Sequence, residues 1–260
     1  MENSRRQFLK VAAVTGAGLA AAPALTTFAA SSETKPKTMV NPKALTAEHW
    51  GMVIDTRKFK YASDLDPIIQ ACDKIHNIPS FENERHEIKW IWQDGFLNVF
   101  PSKENHFLSD RLEKLPFLAL CNHCSNPPCV RACPTKATFQ REDGIIMMDY
   151  HRCIGCRFCM AACPYGSRSF NFLDPRQGLE DEKINMEFPT RMKGVVEKCN
   201  FCAERLAVGK RPACVEASNG AILFGDLEDP QSEVRKALRD NYAIRRKPEL
   251  GTEPSVYYII

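Results

Sequence analysis

Short apolar runs, separated by polar and turn-forming residues, follow one another along this chain of 260 residues. Residues 50–55 form an apolar run of strand length, and residues 64–75 carry apolar side chains at the spacing of a helix. Residues 86–100 predict a strand and its return, and residues 116–120 predict a further buried strand. A mixture of such short helices and strands predicts an α+β fold.

The second half of the chain predicts a hairpin, a loop and a tail among its remaining elements. The dipeptide Asp143-Gly144 lies between two alternating stretches, residues 138–141 and 145–149, which is a β-hairpin signal. The apolar end of the chain either packs on a partner or closes the protein's own sheet. The pattern also predicts strands at residues 167–173 and 221–224, a polar loop at 174–190, a helix at 232–240 and an extended tail at 242–260.

The first 30 residues predict a signal peptide rather than part of the fold. Arg5-Arg6 lies in a twin-arginine pattern, and a weakly apolar stretch at residues 11–25 is followed by small residues. This stretch is too short and too rich in small residues to span a membrane comfortably, so we expect cleavage, with retention as an anchor as the alternative. The twin-arginine route carries folded proteins, so it would bring a thiol-rich protein to the periplasm without cross-linking.

Composition and charge argue against a nucleic-acid partner. The chain is 44% hydrophobic and 26% charged, as in an ordinary globular protein, and its formal net charge is +3. Without the first 30 residues, which contain one acidic and three basic side chains, the charge falls to +1. A balance this close to zero gives no reason to expect nucleic-acid binding.

A pair of cysteine motifs is the strongest chemical signal, since eight of the 12 cysteines lie between residues 121 and 163. The second motif has the C-x2-C-x2-C-x3-C-P spacing of a bacterial ferredoxin, and the first has two extra residues in its middle gap. Three closely spaced thiolates can hold three corners of a cubane cluster, and the fourth cysteine then ligates the cluster of the partner motif. We therefore predict two [4Fe–4S] clusters: cluster A on Cys121, Cys124, Cys129 and Cys163, and cluster B on Cys153, Cys156, Cys159 and Cys133.

A disulfide scaffold or a zinc site fits these cysteines less well. An exported chain with an even number of cysteines often forms disulfides, but neighbours in C-x2-C are poorly placed to bridge each other without strain. A zinc site would account for one pair of C-x2-C motifs, but not for two triplets that each have an outlying fourth cysteine. The spacing therefore favours clusters.

Four cysteines remain, and they predict a third cluster. The last motif, at residues 199–214, would be completed by a cysteine four positions later, and that position is Ser218. Cys72, in contrast, looks like the end of a motif that has lost its first three cysteines, with Phe59 at the first of these positions. If Cys72 is instead a buried free thiol, then Ser218, water or nothing completes the third site, which could hold a [3Fe–4S] cluster. If the first and last motifs instead exchange fourth ligands, as the central pair does, cluster C is held by Cys199, Cys202, Cys214 and Cys72.

Several stretches together resemble a known family. They are Trp50-Gly-Met-Val-Ile-Asp-Thr-Arg-Lys-Phe59, Ile75-His-Asn-Ile-Pro79, Glu87-Ile-Lys-Trp-Ile-Trp92, the cysteine motifs from Cys121 and from His151, and the segments 197–205 and 244–258. The chain resembles the multi-cluster ferredoxin subunits of periplasmic respiratory complexes, such as polysulfide, nitrite and tetrathionate reductases. The flanking segments and the degenerate first motif favour the DsrO type, from the Dsr membrane complex of sulfate reducers and sulfur oxidisers.

We expect tandem bacterial-ferredoxin-like, dicluster halves with short β-ribbons and helices. After a flexible lead-in at 31–47, the iron–sulfur domain spans 48–260; its central half, at 115–173, carries two clusters, and its outer half, from 48–114 and 190–260, carries one. The resemblance implies a DsrMKJOP-like complex with an integral membrane quinone-interacting subunit, a periplasmic multihaem cytochrome c and further iron–sulfur subunits. It also implies that the chain reaches the membrane through these partners.

The chain is expected to transfer electrons rather than to act as an enzyme by itself. It contains no P-loop, HExxH or usable dinucleotide fingerprint, and no C-x2-C-H for covalent haem. His123 either contacts a partner or makes an ordinary hydrogen bond near a cluster. Basic residues close to the ligands either raise cluster potentials or are simply solvated; they are Arg131, Arg152, Arg157, Lys198 and Arg205. An independent iron–sulfur enzyme and a disulfide-rich binding module are the rival interpretations.

Overall fold

The computed structural model describes residues 41–260. The predicted signal peptide with its twin-arginine pattern, and the first part of the predicted lead-in, lie outside these residues. Within them, no helix has both the length and the apolar character needed to cross a bilayer. Residues 41–49 precede the first long strand, and the Leu45 N–H donates to the carbonyl of Leu206.

The described residues form ten strands and eight α-helices, most of them one or two turns long, which confirms the α+β expectation. The strands are β1 Trp50–Asp55, β2 Ile91–Asp94, β3 Phe117–Leu120, β4 Thr138–Gln140, β5 Ile146–Met148, β6 Ser169–Phe170, β7 Val196–Glu197, β8 Ile222–Asp226, β9 Ala243–Ile244 and β10 Val256–Ile259. The helices are α1 Asp66–His76, α2 Phe96–Val99, α3 Asp110–Lys114, α4 Pro128–Arg131, α5 Phe158–Ala162, α6 Ala203–Leu206, α7 Ala213–Ala217 and α8 Glu233–Asp240.

The largest sheet joins segments that are far apart in the sequence. Its strand order is β8-β1-β10-β9, with β1 parallel to β10 and antiparallel to β8. Met52, Val53 and Ile54 are all fully buried, because the main core covers one face of β1 and Val234 of α8 packs on the other. A strand covered on both faces has a continuous apolar sequence, which is the pattern of residues 50–55. The apolar tail therefore closes the protein's own sheet as β10.

The predicted return strand within residues 86–100 is wrong. Strand β2 pairs with β3, 26 residues further along, and residues 96–99 form the helical turn α2 instead. Phe96, Val99 and Phe100 are buried at the i, i+3, i+4 spacing of a helix, so the helical period decides the conformation. The other predicted elements are present, although their bounds shift by a few residues.

The central part of the chain consists of two small ribbons and two short helices. The predicted hairpin forms from β4 and β5, with Gly144 at φ +81° in its turn, and β6 pairs with β7. Helices α4 and α5 pack on each other. The cysteine loops connect these elements, so each loop is fixed at both ends by regular structure.

Candidate metal centres

All 12 cysteines lie in the described part of the chain, and none of them forms a disulfide. Eight are buried, three are partly exposed, and only Cys156 is exposed. Buried thiols without a disulfide partner offer soft sulfur donors, which suit iron–sulfur clusters and zinc. The structure thus gives no support to a disulfide scaffold.

The three C-x2-C loops share one backbone feature. The residue before the second cysteine has a positive φ in each loop: +42° at His123, +70° at Gly155 and +55° at Phe201. This left-handed conformation costs a bulky residue such as phenylalanine free energy, so it persists only where the surrounding structure requires it. The third motif, which lacks its own fourth cysteine, is therefore built like the two complete ones.

The third cysteine of each motif lies within a short helix. Cys129 is in α4, Cys159 in α5 and Cys214 in α7. Proline occurs in the first turn of α4 and directly before α7, where its missing N–H removes no helical hydrogen bond. The third thiol of each motif is therefore held by a helix, whereas the first two lie in a loop.

Four cysteines converge at the first site, which we call set A. Burial raises the pKa of the Cys124 thiol to about 12, and the neighbouring thiols of Cys121, Cys129 and Cys163 contribute in the same direction. Cys163 belongs to the second motif in sequence, and its own pKa is raised by burial and by Cys121. The structure therefore brings together the four residues predicted for cluster A.

Four cysteines also converge at the second site, set B. A narrow cavity is lined by Cys133 of the first motif and by three cysteines of the second, namely Cys153, Cys156 and Cys159. This is the composition predicted for cluster B. Set B lies at the surface, because Cys156 is exposed and the adjacent side chains of Ile154 and Phe158 are 65% and 60% exposed.

The third site, set C, combines residues from distant parts of the chain. Cys72 lies on α1 and is 3% exposed. Burial raises its pKa well above the usual range, and the thiols of Cys199, Cys202 and Cys214 add to this effect. The structure therefore places Cys72 beside the last motif, as the exchange of fourth ligands requires.

Ser218, the alternative fourth ligand, is engaged elsewhere. Its hydroxyl donates to the Val215 carbonyl at 2.7 Å and accepts the Ile222 N–H at 3.0 Å. These bonds close the end of α7 and use the only donor and one of the two lone pairs of the hydroxyl. Phe59, at the position of a missing early cysteine, is buried in the main core.

A polar pair next to set C was not anticipated from the sequence. His76 Nδ1 lies 3.0 Å from the Cys72 carbonyl oxygen, and its Nε2 lies 2.9 Å from Glu204 Oε1. Burial of Glu204 opposes ionisation, but the hydrogen bond and charge of His76 lower the pKa of Glu204 below its ordinary value. Ligand-type atoms of His76, Glu204 and Cys202 lie within 4.8 Å of one another. This pair links α1 to α6 and holds the two halves of set C together.

The comparisons with known proteins agree with this chemistry. A family described as a 4Fe-4S dicluster domain matches residues 114–175. An Hdr-like menaquinol oxidoreductase iron-sulfur subunit 1 of Archaeoglobus fulgidus is 39% identical over an alignment of 277 residues. The alignment covers 98% of this chain and 97% of the relative. This chain belongs to the family of iron–sulfur subunits of such oxidoreductases. It is accordingly an electron-transfer subunit that carries 4Fe-4S clusters.

Two further relatives show the range of complexes in which similar subunits occur. The menaquinone reductase iron-sulfur cluster-binding subunit of Nitratidesulfovibrio vulgaris is 36% identical over 235 residues, 81% of this chain and 88% of the relative. A polysulfide reductase component from Wolinella succinogenes is 40% identical over 141 residues, 54% of this chain and 64% of the relative. Part of this iron–sulfur subunit is thus similar to subunits of complexes with different substrates.

His123 of this iron–sulfur subunit is fully buried, so it makes no contact with a partner. Its Nδ1 accepts the Ile146 N–H at 3.0 Å, and its ring stacks on Phe201 with centroids 3.6 Å apart. Because Nδ1 accepts, the proton of the neutral ring lies on Nε2. The ordinary hydrogen-bond interpretation is therefore the right one.

Among the basic residues close to the ligands in sequence, only Lys198 is buried. The side chains of Arg131, Arg152 and Arg157 are exposed, and Arg205 is partly exposed. Sequence reasoning missed Arg168, which is buried although it lies four residues beyond the last cysteine–proline pair. Its only sequence signal is its position within a short alternating stretch, where an inward-facing arginine is unusual.

Proposed function

We propose that this subunit carries three [4Fe–4S] clusters, A, B and C, in a periplasm-facing respiratory complex of the DsrO type. It would relay electrons between a membrane quinone-interacting subunit and redox partners in dissimilatory sulfur or sulfate metabolism. The observation that carries the proposal is the position of Cys72 beside the last motif. With that cysteine included, the 12 thiols form three sets of four and none remains.

The proximity of set A to both other sets supports a relay with cluster A in the middle. Cys129 of set A contributes to the raised pKa of Cys159 in set B, and Cys121 of set A contributes to that of Cys199 in set C. When bound, the clusters would supply one-electron redox chemistry. The protein's own contribution is to hold the three sets at fixed separations and to exclude water from two of them.

Set B is the proposed point of exchange with an outer partner. Its surface combines the one exposed thiol, Cys156, with the apolar side chains of Ile154 and Phe158. Exposed apolar side chains around a redox centre are typical of a protein contact surface. We propose that a periplasmic multihaem cytochrome c docks here, while the quinone-interacting subunit and other iron–sulfur subunits contact the rest of the protein.

A second candidate is the iron–sulfur subunit of another periplasmic reductase. The relative from the polysulfide reductase of Wolinella succinogenes and one from the tetrathionate reductase of Salmonella typhimurium both match about half of this chain. The relatives that match over most of the chain are named for menaquinol or menaquinone, which favours quinone-linked electron transfer. Purification of the native complex distinguishes the candidates, because a co-purifying subunit that reduces polysulfide or tetrathionate would support the second and refute the first.

In both cases we retain the proposed organisation of the chain. Residues 1–30 would be a cleaved twin-arginine signal peptide, followed by a lead-in at 31–47 and an iron–sulfur domain at 48–260. The central two-cluster module would span about 115–173, with the outer half contributed by both flanks. Mass spectrometry of the protein purified from the periplasm tests the cleavage directly, since a retained N-terminus would contradict it.

The decisive experiment is the iron and labile sulfide content of anaerobically purified protein, together with EPR of oxidised and reduced samples. We expect about 12 iron atoms per chain and no three-iron signal in the oxidised protein. Cys72→Ala should lower the iron content toward about 11 and produce a three-iron signal, because set C loses one thiol. Ser218→Ala is the matched control and should retain about 12. The reverse pattern would show that the serine completes the third site.

A further inference from the structure

Arg168 is a buried cation without an acidic partner. Its side chain lies almost entirely out of solvent, and its Nη1 donates to Thr138 Oγ1 at 2.9 Å. Its Nη2 is buried and has no hydrogen-bond partner. No carboxylate lies within ion-pair distance of it among residues 41–260. A buried guanidinium in this state is strongly destabilising unless another negative charge compensates it.

The groups that face Arg168 are cysteines of two different sets. Cys129, Cys121 and Cys163 of set A and Cys159 of set B all act on its charge. Thr138, which accepts the hydrogen bond from Nη1, donates its own backbone N–H to the sulfur of Cys133 in set B at 3.5 Å. Arg168 therefore lies at the junction of sets A and B, and its unpartnered Nη2 is available to sulfur atoms there.

Lys198 occupies the equivalent place at the other junction. It is fully buried, and its Nζ donates to the carbonyl of Cys199 at 2.7 Å and to that of Ile146. The thiols that face it are Cys121 and Cys129 of set A and Cys199 of set C. It too lacks a carboxylate within ion-pair distance in the part of the chain that the structure describes. Each pair of neighbouring sets thus has one buried cation close to thiols of both sets.

The charge of the sites makes these positions significant. A cluster held by four thiolates is an anion, and its one-electron reduction adds a further negative charge. A fixed positive charge nearby stabilises the reduced form more than the oxidised form, and burial strengthens this effect because water does not screen it. Cluster potentials depend on such nearby charges and hydrogen bonds.

We propose that Arg168 raises the reduction potentials of clusters A and B together, and that Lys198 raises those of clusters A and C. The reduction potential of cluster A is raised most, because cluster A faces both cations. This inference rests on the three-cluster assignment proposed above. The two cations then stabilise the reduced form of the middle cluster most. An electron on either outer cluster is therefore drawn toward cluster A.

The test is an anaerobic, EPR-monitored redox titration of the full chain with dithionite and soluble mediators. We expect Arg168→Gln to lower the potentials of clusters A and B and leave C unchanged. We expect Lys198→Met to lower those of A and C and leave B unchanged. Arg152→Gln is the control, because Arg152 is next to a ligand in sequence but its side chain is two-thirds exposed and paired with Asp149. It should shift none of them.

The pattern of shifts separates an electrostatic role from a structural one. Loosened packing would change the potentials of all clusters, and not only of the two nearest the substituted residue. Equal shifts of all three potentials, or no shift of any, would therefore overturn the proposal. If Arg168→Gln does not assemble, Lys198→Met decides alone: unchanged potentials of A and C refute the idea. Iron and sulfide are measured on every sample, so a wild-type protein with fewer than three clusters refutes the functional proposal rather than this one.

Discussion

The buried ion pair between Arg191 and Glu197 provides the sharpest test of how set C is held in place. Both side chains are fully buried, and Arg191 Nε lies 2.6 Å from Glu197 Oε2. Arg191 also donates to the carbonyl oxygens of His76 and of Asn77, the latter at 2.9 Å, at the end of α1. Glu197 directly precedes Lys198 and the last cysteine motif. The pair therefore ties the helix that carries Cys72 to the segment that leads into the last cysteine motif.

Arg191→Met removes the cation and leaves the carboxylate of Glu197 buried. The carboxylate retains hydrogen bonds from Trp90 Nε1 at 2.8 Å and from Asn171 Nδ2 at 2.5 Å, but these donors are neutral. Removal of one partner from a buried ion pair typically costs about 3–5 kcal/mol. Since about 1.4 kcal/mol corresponds to a factor of ten, opening of this region should become roughly 140- to 3,700-fold more frequent.

Native-state proteolysis of the cluster-loaded protein under anaerobic conditions measures this opening, because cleavage follows the open population when reclosing is fast. Arg211→Met is the matched control, since its pair with Glu233 is largely exposed and worth about 0–1 kcal/mol. We expect a large increase in cleavage rate for the first variant and less than about a tenfold change for the second. Equal rates in the two variants would refute the reasoning.

Two further predictions concern the loops and the tail. Gly155→Ala should reduce the iron content toward about eight atoms, because Gly155 has φ +70° and an added Cβ would lie 2.5 Å from a backbone carbonyl oxygen. Gly95→Ala, with open space around it, should retain the full content, and an equal loss would contradict the argument. Tyr258→Phe should lower the free energy of unfolding by about 0.5–1.5 kcal/mol, because the hydroxyl donates to the Leu118 carbonyl. Tyr257→Phe is its control in thermal melts, and an equal effect there would rule out this explanation.

Local patterns in the sequence were sufficient for much of the fold. Strand β1 could be predicted because its apolar run is continuous, and helix α8 because Ser232 caps its first turn. The β4–β5 hairpin followed from a turn dipeptide with a glycine at positive φ. In each case the physical cause lies within about ten residues, so the sequence pattern and the structure report the same local preference.

The contacts that complete the sites could not be predicted in this way. His76 and Glu204 are 128 residues apart, and Arg191 bonds to carbonyl groups more than 110 residues away. No periodicity links such positions, because they meet only through the packing of α1 against the last motif. The prediction of a return strand was wrong for a related reason. Strand β2 pairs with β3, which lies further along the chain, and residues 96–99 form a helical turn in line with their apolar spacing.

The C-terminal segment connects the largest sheet to the loop that supplies set A. The N–H groups of Ser125 and Asn126 donate to the carbonyls of Glu253 and Thr252, and the Ser255 hydroxyl donates to that of His123. These bonds join the end of the chain to the first cysteine loop, just before β10 enters the sheet beside β1. That loop supplies thiols of set A, which neighbours both other sets. Both electron-transfer distances of the proposed relay would therefore depend on these bonds. In the proposed relay, the apolar tail that completes the protein's own sheet would thus also hold the central site in place.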